Sequence, residues 1–210
     1  MSPKTIQTLN PRTGNFLAQE YVISTPEELN QKVTDAQLAF MVYRNTSGNE
    51  RAILLETIAD EIEAVKEEIL SIATLETGLP AGRIQGETGR TLGQLRLFAE
   101  VAQEEFWVEA SIDTALPDRQ PLPKSDIRKC LVPLGPIAVF GASNFPLAFS
   151  TAGGDTASAL ASGNPVIVKA HNSHLGTHQC IAAAIARALE RCNLPKGIFS
   201  SIFDEGYELG

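Results

Sequence analysis

The chain has 210 residues, of which 43% are hydrophobic and 20% charged, so it holds enough apolar material for one large domain or two small ones and cannot be wholly disordered. Its formal net charge of -8 repels phosphate backbones, and the sequence shows no local basic patch, so we expect no nucleic-acid partner. No apolar run is long enough to span a bilayer and the first residues lack the apolar core of a secretion signal, which predicts no membrane partner and a cytoplasmic location.

The first half of the chain predicts three helices. Thr25 followed by proline and two glutamates is typical of a capped helix start, and this helix runs over residues 25–43. Apolar residues at steps of three and four predict one long helix from about residue 50 until Gly78 ends it. The third helix, over about 81–107, carries four glycines, which indicate close packing against another backbone: Gly82, Gly86, Gly89 and Gly93.

The second half alternates strands and helices. Residues 110–126 are rich in proline and predict an extended connector or an edge ribbon. Apolar segments then predict three strands separated by two helices, in the order strand 137–140, helix 146–162, strand 165–169, helix 175–191 and strand 197–203. Such βαβαβ units form a parallel sheet covered by helices on both faces.

These elements predict an α/β fold in three parts. A helical segment (residues 1–109) and a connector (110–134) precede part of a Rossmann-like parallel sheet (135–210), which we expect to bind a nucleotide. Ligands of such sheets bind outside the carboxyl ends of the strands, so the residues that follow each strand are the candidates for function.

Polar residues follow the first two strands. Asn144 comes after the first strand, where it is either a helix cap or a carboxamide donor that stabilises a developing oxyanion in the crevice. Lys169 ends the second strand and either extends to solvent or binds an anionic or hydroxyl-rich ligand. Neither turn contains the GxGxxG fingerprint, so the spacing alone does not indicate a dinucleotide.

Histidines and cysteines offer two further hypotheses. His171, His174 and His178 are spaced three and four apart, which suits a metal only if one helix carries all three, and no carboxylate accompanies them. We predict no metal site and keep a His-based metal-binding protein as an alternative. The three cysteines form no CxxC pair, so we expect small buried side chains rather than disulfides or zinc ligands: Cys130, Cys180 and Cys192.

Four motifs together resemble the aldehyde dehydrogenase superfamily, over nearly the whole chain as its amino-terminal part. They are GPIAVFGASNFP at 135–146, GNPVIVKAH at 163–171, NPRTG at 10–14 and LETG at 75–78. The unbroken stretch over 141–171 is most similar to the group that contains 2-oxoglutarate semialdehyde (2,5-dioxopentanoate) dehydrogenases. The resemblance implies NAD(P)+-dependent oxidation of a small aldehyde to a carboxylic acid, and a homo-oligomer when the protein is full length.

The resemblance also implies roles for individual residues. Asn144 is the catalytic oxyanion donor. The cofactor, NADP or NAD, is bound by residues that follow the two strands: Phe140, Gly141, Lys169, His171 and Asn172. Many NAD-preferring members of the family carry a glutamate where this chain has Asn172, so we expect NADP+ to be accepted here as well.

The nucleophilic cysteine and the general-base glutamate of the family belong to a later part of its fold than this sequence covers. We therefore expect a fragment or truncated product that oxidises no aldehyde alone. An alternative from another class is a noncatalytic module that binds a nucleotide or associates with another chain through an exposed sheet edge.

Overall fold

The computed structural model describes residues 3–206 and Leu209. Residues 1, 2, 207, 208 and 210 belong to the segments predicted from the sequence, but they lie outside the described residues. The described chain contains an amino-terminal hairpin, a set of four helices, a short ribbon and a parallel sheet flanked by two more helices.

The hairpin was not among the predicted elements. Strands β1 (Thr5–Leu9) and β2 (Phe16–Val22) pair in antiparallel orientation. Their connection uses local turn chemistry, because the Asn10 side chain accepts the backbone N–H of Arg12 at 2.9 Å and Gly14 has a φ of +73°. The NPRTG motif is therefore the turn of a hairpin.

Local capping sets the starts of the first two helices. Helix α1 (Pro26–Tyr43) is capped by Thr25, as predicted. Its cap is a capping box, and Ser47 caps α2 (Gly48–Ala64) in the same way. The prediction of one long second helix is wrong, because the backbone leaves the helical conformation at Val65 and α3 (Lys66–Thr77) follows. No glycine or proline lies at this position, so the sequence carries no signal for the break.

Helix α4 (Ala81–Glu104) is the longest helix described. Its four glycines are exposed, and a Cβ built on any of them meets no atom within 4 Å among the described residues. The predicted close packing at these glycines is therefore wrong for this part of the chain. The opposite face of α4 carries the buried side chains, which pack mainly against α2.

The second half confirms the predicted α/β class. Strands β3 (Ser111–Asp113) and β4 (Ile127–Lys129) form an antiparallel ribbon. The parallel sheet follows in the order β5-β6-β7, formed by Ile137–Phe140, Val166–Lys169 and Phe199–Ile202. Helix α6 (Leu175–Arg191) keeps the bounds predicted for it.

Helix α5 (Gly154–Ala161) is shorter than the predicted helix over 146–162. The chain before it folds back on itself instead, and a Cβ at Gly153 would lie 2.4 Å from the Ala148 carbonyl oxygen. Only glycine allows this approach, so α5 starts after a tight local turn and not where helix propensity alone would start it.

One hydrophobic cluster runs from the helices into the sheet. It joins side chains of α2 and α4 to α5, α6 and strands β5 to β7. The buried hydroxyl of Tyr43 donates to the Leu160 carbonyl at 2.8 Å, which ties the end of α1 to the end of α5. Within the described residues, no helix has the length and apolar character needed to cross a bilayer.

The contact between α2 and α4 leads to a stability prediction. A Cβ at Gly48 would lie 2.0 Å from the Ala102 carbonyl oxygen, so we expect Gly48→Ala to lower the free energy of unfolding by about 1–3 kcal/mol. Gly86→Ala on the exposed face of α4 is the matched control and should raise it by up to about 1 kcal/mol. Urea denaturation of both variants measures the difference, and a shift of the same sign in both would contradict the close approach.

Candidate functional site

Five of the six predicted site residues meet at one cavity of about 310 Å³ at the carboxyl ends of β5 and β6. Parallel register explains the meeting, because Phe140 at the end of β5 lies beside Lys169 at the end of β6. The cavity is lined by these strand ends and by the segment after β7: Phe140, Gly141, Lys169, Ala170, His171, Asn172, Glu205 and Gly206. Its volume is at the lower end of ordinary ligand pockets, which run from about 300 Å³.

Gly141 joins the two strand ends through its backbone. Its N–H donates to the Lys169 carbonyl at 3.1 Å, which extends the ladder by one residue beyond β5. A Cβ here would lie 2.8 Å from Ser150 Oγ and 3.5 Å from His171 Cβ. A larger residue would therefore clash with the Ser150 side chain, whereas its contact with His171 would be an ordinary van der Waals contact.

Lys169 supplies the positive charge of the cavity. Its ammonium donates to the Asn172 carboxamide oxygen at 3.3 Å, and Asn172 in turn donates to the Glu205 carbonyl at 3.0 Å. Burial lowers the pKa of Lys169 below its ordinary value, and the nearby Asp204 carboxylate opposes this shift. Among the described residues the Lys169 ammonium has no other hydrogen-bond acceptor, so it has donors free for a ligand.

His171 and Glu205 complete the polar lining. Burial lowers the pKa of His171, and the neighbouring His174 and Lys169 lower it further, which favours a neutral ring. Its Nδ1 accepts the Ser173 N–H at 3.2 Å. Glu205 was not predicted as a site residue. Its side chain lies 2.6 Å from the Lys4 ammonium, a pairing between distant parts of the chain that no local pattern indicates.

Asn144 is the one predicted site residue that does not line the cavity. It lies in the Asn144 loop (residues 141–151), between β5 and α5. The helix-cap alternative is wrong, because α5 begins ten residues later and is capped by Gly153. Asn144 is exposed, and its carboxamide has no hydrogen-bond partner among the described residues. The donor is thus free for a ligand outside the cavity.

Two buried carboxylates that the sequence analysis did not single out support this region. Glu87 of α4 accepts the N–H groups of Leu147 and Ala148 in the Asn144 loop at 2.9 and 3.0 Å. Glu76 of α3 accepts the N–H groups of Gly176 and Thr177 at 2.7 and 2.8 Å. Glu87 lies on the buried face of α4, among positions spaced three and four apart. A charged residue at such a position is the signal that could have identified it.

Glu76 also occupies backbone amides at the start of α6. The first N–H of α6, from Leu175, donates to Thr8 Oγ1 at 3.3 Å, and the next two donate to Glu76. A carboxylate at this end of a helix is stabilised by the helix dipole. Since these three amides already have partners, a phosphate would have to displace the protein's own groups to bind here.

The three histidines do not form a metal site. His174 Nε2 lies 2.8 Å from the Ala142 carbonyl and His178 Nδ1 lies 2.7 Å from Thr151 Oγ1, so both rings hold the Asn144 loop against α6. Among the residues that the structure describes, no group of three His, Cys, Asp or Glu side chains is arranged to hold a metal ion.

The cysteines are unlike one another. The prediction of burial is wrong for Cys130, which is exposed just after β4. Burial raises the pKa of Cys180 to about 11, and the Glu68 carboxylate raises it in the same direction. The thiol of Cys192 contacts Thr57 Oγ1 at 3.6 Å. None of the three lines the cavity at the strand ends.

Comparison with known proteins confirms the resemblance. The family model described as "Aldehyde dehydrogenase family" matches residues 1–210. The chain is 48% identical over 210 residues to the "Alpha-ketoglutaric semialdehyde dehydrogenase 2" of Azospirillum brasilense, covering 100% of this chain and 40% of that protein. It is 47% identical over 203 residues to the "Alpha-ketoglutaric semialdehyde dehydrogenase" of Acinetobacter baylyi, covering 95% of this chain and 38% of that protein. The chain thus spans about two fifths of the length of these curated relatives.

A solved structure confirms the fold. The crystal structure of an NAD-dependent benzaldehyde dehydrogenase from Corynebacterium glutamicum matches with a TM-score of 0.80 at 22% sequence identity. The match covers 99% of this chain and 42% of that chain. The α/β arrangement described above is therefore part of a larger known fold.

His178 generates a prediction on pH. Burial lowers its pKa from 6.5 to about 3, so below pH 6.5 the unfolded chain binds a proton that the folded protein does not. Stability therefore falls as the pH decreases through this window. His178→Asn keeps a polar group for Thr151 but cannot titrate, so we expect it to lose less unfolding free energy between about pH 7 and pH 5, by up to about 2 kcal/mol.

Urea denaturation at the two pH values measures this difference. His171→Asn is the matched control, because the half-buried His171 should contribute less to the pH dependence. Equal pH dependence in the wild type and in His178→Asn would show that His178 is not held neutral.

Proposed function

The chain belongs to the aldehyde dehydrogenase family, and we propose that it supplies the cofactor-binding strand ends and an oxyanion donor for the NAD(P)+-dependent oxidation of an aldehyde to a carboxylic acid. The cavity at the ends of β5 and β6, where five predicted residues meet, carries this proposal. The names of the two relatives at 48% and 47% identity support 2-oxoglutarate semialdehyde (2,5-dioxopentanoate), whose oxidation gives 2-oxoglutarate, as the substrate.

The cavity's donors suit the hydroxyl-rich part of a dinucleotide. NAD(P)+, when bound, supplies the hydride acceptor for the oxidation. We propose that the ammonium of Lys169 and the carboxamide of Asn172 bind ribose hydroxyls, since both side chains line the cavity and lie 3.3 Å apart. The backbone at Phe140 and Gly141 then faces the nicotinamide side, and the neutral ring of His171 adds no charge near the phosphates.

Asn144 acts on the aldehyde in this proposal. As the aldehyde carbon is attacked, negative charge develops on its oxygen, and the free NH2 group of Asn144 donates to that oxygen. None of the described cysteines lines the cavity at the ends of β5 and β6, and Cys180, whose pKa is raised to about 11, is poorly suited to form a thiolate. We therefore assign neither the attacking thiol nor the water-activating base to a described residue.

A second candidate function is association without catalysis. The ribbon and the segment after it expose large apolar side chains, among them Ile112, Leu122 and Leu134 at 67%, 69% and 87% exposure. We propose that this exposed apolar stretch contacts another chain, which also supports our proposal of a homo-oligomer. The three free cysteines fit a reducing compartment and support a cytoplasmic location.

The first functional prediction concerns Asn144. Activity is measured in a hybrid enzyme in which residues 1–210 replace the matching segment of the A. brasilense relative. We expect Asn144→Ala to lower kcat by about 10²–10³-fold while the KM of the cofactor changes little, because the donor matters only when charge develops on the aldehyde oxygen.

Ser143→Ala is the matched control, because Ser143 is the exposed neighbour in the same loop and has no hydrogen-bond partner among the described residues. The 210-residue chain alone is the blank, and we expect it to reduce no cofactor. Unchanged kcat in Asn144→Ala would refute the oxyanion role, and turnover by the blank would place the catalytic machinery within these 210 residues.

The second functional prediction concerns cofactor choice. Asn172 brings no negative charge toward a 2′-phosphate, so the hybrid should use NADP+ as well as NAD+. Asn172→Glu adds that charge inside the cavity and should shift the ratio of kcat/KM toward NAD+ by about tenfold or more.

Gln103→Glu adds the same charge on an exposed face of α4 outside the cavity and should leave the ratio unchanged. The assignment of Asn172 fails if the wild type already rejects NADP+ and the substitution does not alter the ratio.

A further inference from the structure

Glu87 is the most unusual charge in α4. Its side chain is only 2% exposed, yet its nearest positive partner, Arg83, lies 3.4 Å away and is itself 44% exposed. A buried carboxylate is costly unless hydrogen bonds compensate for its lost hydration. Glu87 obtains them from the backbone of a segment sixty residues away, where one carboxylate oxygen accepts two successive N–H groups, from Leu147 and Ala148.

The same face of α4 makes two more contacts with this segment. Arg83 and Arg90 lie one turn before Glu87 and about one turn after it, so all three point to one side of the helix. The Arg83 guanidinium lies 4.6 Å from the centre of the Phe145 ring, and that of Arg90 lies 4.8 Å from the centre of the Phe149 ring. The two phenylalanine rings contact each other edge to face at 5.0 Å.

The other side-chain bonds of the Asn144 loop lie near its ends. Ala142 bonds to His174, and Thr151 bonds to His178. Between them, the backbone N–H groups of Leu147 and Ala148 are held by Glu87. Asn144 lies in this central stretch and has no hydrogen bond of its own among the described residues, so its position depends on how firmly the stretch is held.

We infer that Glu87 is a positioning residue for Asn144: its carboxylate fixes the turn at Leu147 and Ala148 and thereby sets where the Asn144 carboxamide points. Glu87 does not line the cavity at the ends of β5 and β6. The inference rests on the proposed oxyanion role of Asn144. The fixing of the loop itself can be measured without any turnover.

The first experiment measures hydrogen exchange of the Leu147 and Ala148 amides, in the 210-residue chain and in the hybrid enzyme. Glu87→Ala removes the oxygen that accepts both N–H groups, so we expect these two amides to exchange at least about tenfold faster, the loss of roughly one hydrogen bond. Glu87→Gln keeps an acceptor oxygen at the same reach and should restore most of the protection. Glu100→Ala, an exposed acid on the same helix, is the matched control.

The second experiment is a double-mutant cycle on kcat in the hybrid enzyme. Glu87→Ala alone should lower kcat by at least about tenfold, with little change in the KM of the cofactor. In a chain that already carries Asn144→Ala, the same substitution should have little further effect, because Glu87 acts through Asn144. General destabilisation would instead lower kcat by the same factor in both backgrounds.

The outcomes separate the inference from the function on which it rests. Unchanged amide exchange in Glu87→Ala, or equal effects of Glu87→Ala in both backgrounds, overturns the positioning role and leaves the role of Asn144 standing. Full kcat in Asn144→Ala overturns the proposed function, and with it the positioning role of Glu87. Faster exchange restored by Glu87→Gln, together with a non-additive cycle, supports both.

Discussion

Two buried carboxylates connect the helices of the first half to the strand ends of the second. Glu76 and Glu87 are both buried. Each accepts two successive backbone N–H groups from a segment at least sixty residues away. Removing either carboxylate would leave buried donors unpaired, at about 1–3 kcal/mol for each one. The start of α6 and the Asn144 loop therefore depend on α3 and α4 for their conformation. The continuous hydrophobic cluster likewise packs the helices of the first half against the sheet of the second.

The two parts of the site, the cavity and the Asn144 loop, are held in place by different elements. The cavity at the ends of β5 and β6 is formed by the sheet itself, because parallel register places Phe140 beside Lys169 and the Gly141 N–H donates to the Lys169 carbonyl. The Asn144 loop leaves the sheet and is held by side chains of α4 and α6. A substitution in the helices can therefore disturb the Asn144 loop without altering the residues that line the cavity.

The elements that could be predicted from the sequence are those with a local sequence signal. The capped start of α1 at Thr25 and the three strands depend on local sequence, and these predictions are confirmed. Parallel register then brings Lys169 and Gly141 together. The break at Val65 and the late start of α5 are indicated by no periodicity in the sequence. The open face of the α4 glycines was also mispredicted, because glycine content alone does not tell whether a neighbour is present. Glu87 was the exception, since a charge at a buried helix position could have been noticed.

The support of the Asn144 loop and the freedom of its carboxamide belong to one physical requirement. A hydrogen-bond donor stabilises developing charge most when it already points to the place where that charge forms and does not have to break another bond first. Asn144 meets the second condition, because it has no partner among the described residues. Since no described residue holds the side chain directly, the backbone contributes to the first condition by fixing where Asn144 lies. Glu87 and His174 bond to the backbone of the loop, and His178 bonds to the Thr151 hydroxyl. These bonds hold the loop and leave the Asn144 carboxamide free, whereas a direct bond to the carboxamide would occupy the donor.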